Sequence, residues 1–166
     1  MNLNNRNPQF ASLLFQNPRA WANIRGSERY PDIRGTARFY QTGYGALVAV
    51  ELSGLPAPKE KCKSPVMGFH IHKGGSCTGN SSNPFADADG HYNPDNCLHP
   101  YHAGDLPPIF GANGFGYSVV LTNRINVNEI IGKTVILHLH PDDFTTQPSG
   151  NSGEMIACGK IVDGSR

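Results

Sequence analysis

All seven histidines of this 166-residue sequence lie in one stretch of the chain: His70, His72, His91, His99, His102, His138 and His140. Histidine is the commonest metal ligand because its neutral imidazole carries a nitrogen lone pair near physiological pH. Two His-x-His pairs enclose the stretch, and the segment between them is rich in histidine and aspartate. This arrangement indicates a site for more than one metal ion.

The spacing of the first pair suits a clamp on one ion. Residues two apart in a β-strand point to the same face, with Cα atoms about 6.5–7 Å apart. His70 and His72 can therefore reach one metal, and His138, on another strand, can complete the set. His140 is interpreted as a surface histidine because Pro141 ends the strand directly after it.

The central segment offers a second ligand set, made of three imidazoles and one carboxylate: His91, His99, His102 and Asp105. Such a closed tetrahedral set suits zinc. Imidazole sites without thiolate also suit copper, which binds these ligands more tightly than other divalent first-row ions. The residue types alone leave the choice between the two metals open.

The elements that must position these residues have the patterns of short strands. Seven segments show alternation or β-branched composition: 21–25, 35–41, 46–52, 66–72, 116–122, 134–140 and 155–162. Residues 73 to about 114 show no period, and a loop of that length in a compact domain is usually functional. A second polar loop spans 141–153. With 19 glycines, 13 prolines and no helix of useful length, the pattern predicts an antiparallel sandwich or barrel.

Composition bounds the remaining possibilities. We expect an N-terminal arm over residues 1–20 and one domain over 21–166. A net charge of +1 gives no reason to expect nucleic acid or an anionic membrane as partner. No apolar run approaches the roughly 20 residues that span a bilayer, and no signal peptide is recognisable. We therefore expect a cytoplasmic protein, with export by another route as the alternative.

Five motifs, in order along the chain, resemble those of the copper/zinc superoxide dismutase family. They are GFHIH at 68–72, GHYNP at 90–94, HAGDL at 102–106, IIGKTVILH at 130–138, and GNSG at 150–153 with ACG at 157–159. The resemblance covers roughly residues 21–162 and is nearest to the bacterial kind. It implies an all-β fold, an eight-stranded Greek-key barrel or flattened sandwich with two long functional loops.

The resemblance also implies which residue binds which metal. Copper takes His70, His72, His91 and His138, whereas zinc takes His91, His99, His102 and Asp105. His91 is then shared, with one ring nitrogen on each metal. Asp142 matches an aspartate that links one copper histidine to one zinc histidine and so fixes ring orientation. Asp143 is the close alternative for that role.

The implied reaction is the dismutation of superoxide. One superoxide anion reduces copper and leaves as oxygen, and a second reoxidises it and leaves as hydrogen peroxide. The shared histidine takes a proton when copper is reduced and supplies it to the nascent peroxide. Zinc orders the site without redox chemistry of its own. The family includes dimers, so the resemblance allows a homodimer.

One position departs from the family pattern. The family places an arginine two residues before the Ala-Cys-Gly triplet, where it attracts superoxide, but this chain has Met155 there, preceded by Glu154. The 141–153 loop contains no lysine or arginine that could compensate. Since charge steers this substrate, the substitution predicts a working but slower enzyme.

The four cysteines divide into two kinds. Cys77 and Cys158 match the intramolecular disulfide of the family, which forms even in the cytoplasm. Cys62 and Cys97 have no counterpart. A second disulfide is the favoured interpretation of this pair; free buried thiols come next, and a thiolate copper ligand comes last because the imidazole set is complete.

Two other functions compete with a dismutase. A non-enzymatic copper or zinc storage or delivery protein gains support from Met155 and loses it from the intact ligand set. A hydrolytic zinc enzyme would need an open zinc position, and the closed His/Asp set argues against one.

Overall fold

Eight antiparallel strands form a closed barrel in the computed structural model, which describes residues 9–57 and 65–165. The strands are β1 Ala20–Gly26, β2 Arg34–Thr42, β3 Gly45–Ser53, β4 Val66–His72, β5 Asp105–Ala112, β6 Phe115–Thr122, β7 Thr134–His138 and β8 Met155–Asp163. Their order around the barrel is β1-β2-β3-β6-β5-β4-β7-β8. Successive strands β3 and β4 are separated by β6 and β5, as in a Greek key. The expected eight-stranded all-β fold is confirmed.

Strand β5 lies inside the stretch that we expected to be a continuous loop, and that expectation was wrong for Asp105–Ala112. Pro107 and Pro108 are the reason that the sequence pattern did not predict this strand, because proline is depleted in sheet interiors and cannot donate a hydrogen bond to the ladder. Leu106 and Ile109 nevertheless face the core. The register of β4 against β5 shifts between Met67 and Phe69, at the level of the two prolines.

The barrel core determines which way the histidines point. On β4, Met67, Phe69 and Ile71 are buried in the main core cluster, so the alternate residues of the strand face outward. A slip of one residue would place the histidines in the core and these large side chains outside. Burying each of them stabilises the fold by roughly 1.5–3 kcal/mol, which fixes the register. His70 and His72 therefore share the outer face of β4, where loops cover them.

The described part of the N-terminal segment packs against the barrel. A 3-10 helix spans Phe10–Phe15. Phe10, Leu13 and Leu14 pack on the outer face of β2 and β3, on a cluster formed by Tyr40, Leu47 and Ala49. Part of the segment assigned to an arm thus shields an apolar sheet surface. The other helices are short, such as α1 Val127–Ile130, and within residues 9–57 and 65–165 none is long and apolar enough to cross a membrane.

A disulfide joins Cys77 to Cys158 and confirms the expected pairing. It attaches the long β4–β5 loop to strand β8, across a sequence separation of 81 residues. Cys97 is exposed in the same loop. The expected pairing of Cys97 with Cys62 lies outside the described residues, since Cys62 falls within 58–64.

Candidate metal centre

Two groups of ligand side chains meet on the outer face of the barrel, beneath the β4–β5 and β7–β8 loops. We call the first the all-histidine group: His70, His72, His91 and His138. We call the second the mixed group: His91, His99, His102 and Asp105. Within each group, the candidate ligand atoms lie within 4.8 Å of one another. His91 belongs to both groups.

Strands supply the rigid part of the site. His70 and His72 lie on β4, and His138 is the last residue of the neighbouring β7. Asp105 opens β5 and is paired with His70 in register. Four of the seven ligand residues are therefore fixed by barrel hydrogen bonds, which gives the site a defined geometry before any metal binds.

The β4–β5 loop brings the remaining ligands to these strands. His91 forms an isolated β-bridge with His72. Beside it, Tyr92 N–H donates to Ile71 O at 2.8 Å, and Gly104 N–H donates to Tyr92 O at 2.8 Å. These long-range bonds place His91 between the two groups.

Hydrogen bonds orient the rings of the all-histidine group toward a common centre. His72 Nδ1 lies 2.6 Å from Asp89 O, and His138 Nδ1 lies 3.3 Å from Gly153 O, so each Nδ1 donates to a carbonyl. The Nε2 atoms of these two rings are then left as acceptors, and they face each other at 3.3 Å. Two lone pairs at that distance need a cation between them.

Several buried ring nitrogens have no hydrogen-bond partner in the part of the chain that the structure describes: His70 Nδ1, His91 Nε2, His99 Nδ1 and His102 Nδ1. Buried polar atoms without partners are costly and call for an explanation. In the mixed group, two of them lie near Asp105 Oδ2, at 3.0 Å for His99 and 3.4 Å for His102, without hydrogen-bond geometry. Bound metal ions would satisfy all four nitrogens, so the residues fit the two metals that the sequence suggests.

Asp142 connects the two groups. Its carboxylate accepts a hydrogen bond from His70 Nε2 at 2.8 Å through Oδ2 and another from His99 Nε2 at 2.8 Å through Oδ1. Each ring is thereby fixed with Nδ1 toward its own group. Asp143, the alternative from the sequence, instead binds Thr145 and Thr146 of its own loop.

Burial keeps three members of the all-histidine group, His70, His72 and His138, in the form that binds metals. Desolvation lowers the pKa of His70, lowers that of His72 well below its ordinary value, and lowers the pKa of His138 to about 3. Burial alone would raise the pKa of Asp142, but hydrogen bonds from His70 and from Phe144 N–H hold it below its usual range. Neutral imidazoles and an ionised carboxylate are the states that the ligand and bridging roles require.

Met155 lies beside the all-histidine group, because β8 pairs it with His138 in register. Its side chain packs on a small apolar cluster that contains Phe85 and Ile136. The carboxylate of Glu154, the residue before Met155, is paired with the Arg29 guanidinium, at 3.0 and 3.1 Å. Arg29 comes from the β1–β2 connection, and no sequence pattern indicated this contact.

Gly150 allows the Asp142 bridge to form. It has φ +69°, and a Cβ there would overlap Asp142 Oδ1 and lie 2.7 Å from His99 Nε2. We expect Gly150→Ala to displace the bridge and weaken zinc binding roughly 10–100-fold, the usual cost of losing such a partner. Zinc retention during dialysis against a graded chelator measures this.

The matched control is Gly132→Ala, since Gly132 has φ +90° but no atom within 4 Å of the position that a Cβ would take. It imposes comparable backbone strain without touching the site. Equal zinc retention in the two variants would contradict the role assigned to Gly150.

Comparisons with known proteins agree with this geometry. Residues 33–161 match the family model described as copper/zinc superoxide dismutase. A superoxide dismutase [Cu-Zn] of Aquifex aeolicus is 32% identical over 145 residues, covering 78% of this chain and 80% of the relative. One of Deinococcus radiodurans is 33% identical over 145 residues, covering 76% of each. The structure of the Cu/Zn superoxide dismutase from Brucella abortus superposes with a TM-score of 0.69 at 25% identity, covering 85% of this chain and 98% of that one.

Proposed function

Since the chain belongs to the copper/zinc superoxide dismutase family, we propose that it converts superoxide to oxygen and hydrogen peroxide. The observation that carries the proposal is the pair of ligand groups that share His91. The all-histidine group would hold copper, and the mixed group would hold zinc. Copper held there would supply one-electron redox chemistry, by which one superoxide is oxidised to oxygen and a second is reduced to hydrogen peroxide.

The protein's own residues position the site and move protons. His91 Nδ1 lies 2.7 Å from Asp105 Oδ1, which fixes the ring from the side of the mixed group. Its Nε2 faces the all-histidine group without a hydrogen-bond partner among the described residues. This nitrogen is therefore the atom at which a proton can be held and passed to the reduced substrate.

Stopped-flow measurement of superoxide decay tests the proposal. Protein loaded with copper and zinc should accelerate decay far above the metal-free protein, and removing copper alone should abolish the effect. Full binding of both metals without acceleration would favour the storage or delivery alternative.

We also propose that Met155 slows the reaction, because its side chain carries no charge at the position where the family has an arginine. Among the described residues, two cations next to this side of the site are paired: Arg29 with Glu154 at 3.0 Å, and Lys73 with Asp89 at 3.1 Å. Met155→Arg should raise the rate roughly tenfold at low salt, the lower end of electrostatic steering, with a steeper fall as salt increases. Superoxide decay at several ionic strengths measures both effects.

Met155→Leu is the control for this prediction, because it keeps the apolar packing and adds no charge. Superoxide should decay at the same rate with this variant as with the original protein. An arginine variant with an unchanged rate and an unchanged salt dependence would contradict the steering role.

We propose that a second copy of the chain covers an apolar surface on the outer face of β5 and β6. Phe110, Phe115 and Tyr117 are each more than 60% exposed there, and Val119 and Leu121 extend the row. Contiguous exposed apolar patches usually mark interfaces, and the net charge of +1 opposes self-association only weakly.

Tyr117→Lys should therefore shift the protein toward monomer in sedimentation velocity, because the two-fold symmetry of a dimer brings the new charge into the contact from both copies. Phe15→Lys, at an exposed aromatic residue of the N-terminal 3-10 helix, is the control. A monomeric original protein at all accessible concentrations would contradict the dimer.

A further inference from the structure

The main chain of the zinc-ligand candidate His99 is bound by a side-chain amide from another loop. His99 N–H donates to Gln147 Oε1 at 3.0 Å, and Gln147 Nε2 donates to His99 O at 2.7 Å. The two bonds imitate one rung of a β-ladder across a separation of 48 residues. His99 is buried, so its main-chain groups would otherwise carry the cost of unpaired polar atoms.

Hydrogen bonds within the loop that carries Gln147 hold that loop in one conformation. Asp143 accepts bonds from Thr145 N–H and Thr146 N–H, at 2.9 and 2.8 Å. Asp143 N–H donates to Gly150 O at 2.9 Å, and Gly150 N–H donates to Thr146 O at 2.7 Å. The main chain of Gln147 therefore belongs to a hydrogen-bonded turn.

His99 is thus attached to this turn twice, at its ring through Asp142 and at its main chain through Gln147. A bond at Nε2 alone leaves the ring free to pivot about that atom. Holding the main chain as well fixes where Nδ1 lies relative to Asp105.

A second amide holds the other end of the same short segment, but from within its own loop. Cys97 N–H donates to Asn93 Oδ1 at 2.9 Å, and Asn93 Nδ2 donates to Cys97 O at 2.9 Å. Asn93 shapes the loop locally, four residues away. Gln147 instead joins that loop to the turn that carries Asp142, which also binds His70.

We propose that Gln147 is a positioning residue that fixes the main chain of His99 and so sets the geometry of the mixed group. The proposal rests on the proposed function in that the mixed group holds zinc. It adds that the main-chain bonds from Gln147, together with the Asp142 bond to the ring, fix His99 at two points.

Cobalt(II), which takes tetrahedral nitrogen and oxygen ligands and absorbs visible light, is the probe for the mixed group. Gln147→Leu should speed cobalt dissociation about tenfold, the effect of losing two ordinary hydrogen bonds at the ligand, and should alter the visible spectrum. Gln147→Glu keeps an acceptor for His99 N–H but sets a carboxylate oxygen against His99 O, so cobalt should dissociate from it faster than from the original protein.

Gln41→Leu is the matched control, because Gln41 Oε1 likewise accepts a long-range main-chain bond, from Val127 N–H at 2.9 Å, on an element that carries no ligand. Its cobalt spectrum and dissociation rate should stay within about twofold of the original protein. Gln147 variants with the original spectrum and rate would overturn the inference while leaving the proposed function standing. An original protein that binds no cobalt in the mixed group would overturn both.

Discussion

His91→Ala should reduce superoxide-decay activity more than a hundredfold. Losing a residue that only orients a ligand typically costs 10–100-fold, and His91 is itself a ligand candidate in both groups. The variant leaves three histidines for copper and removes the hydrogen-bond partner of Asp105 Oδ1. Stopped-flow decay and metal content, measured on the same sample, report the two losses together.

His140→Ala is the control, since His140 is exposed and belongs to neither group. It should keep full metal content and activity within about twofold, as expected for a surface change. A His91→Ala variant that holds both metals and more than a tenth of the original activity would contradict the shared role of His91.

The double variant Cys77→Ala and Cys158→Ala, which removes the disulfide, should lower the free energy of unfolding more than any other variant proposed for this protein. The bridge closes a loop across 81 residues, for which the chain-entropy model gives about 4.5 kcal/mol. Cys158 is also buried against Phe85 and Ile136, so truncation removes packing as well. The midpoint of thermal unfolding should fall by roughly 10–15 °C, and denaturant unfolding should give the free energy.

Cys97→Ala tests whether the effect belongs to the bridge. Cys97 is exposed and forms no disulfide with the other described cysteines, so this single change should alter the unfolding free energy by less than about 0.5 kcal/mol. A double variant less than 1 kcal/mol below the original protein would contradict the structural role of the Cys77–Cys158 bridge.

The strand-borne part of the site could be predicted from the sequence because strands have a period of two. Once Phe69 and Ile71 face the core, His70 and His72 must face outward together. The closed barrel followed from the family resemblance, whereas local patterns found seven strands. The local patterns did not predict strand β5, because its two prolines break the alternation that strands normally show.

The loop-borne part could not be placed from local patterns. The bonds that bring His91 to β4, such as Tyr92 N–H to Ile71 O, join residues distant in sequence and have no local signal. Neighbouring aspartates are equally hard to separate: Asp142 bridges two histidines, and Asp143 closes its own turn. Gln147 and Arg29 belong to residue types common on any surface, so only their long-range contacts reveal them.

Anomalous X-ray diffraction from crystals of the copper- and zinc-loaded protein, recorded at the absorption edges of both metals, tests the central claim most directly. We expect one copper position among His70, His72, His91 and His138, and one zinc position among His91, His99, His102 and Asp105. His91 should be a ligand of both, through Nε2 and Nδ1 respectively. A single metal position, or a His91 bound to one metal with its other nitrogen bonded elsewhere, would contradict the shared site.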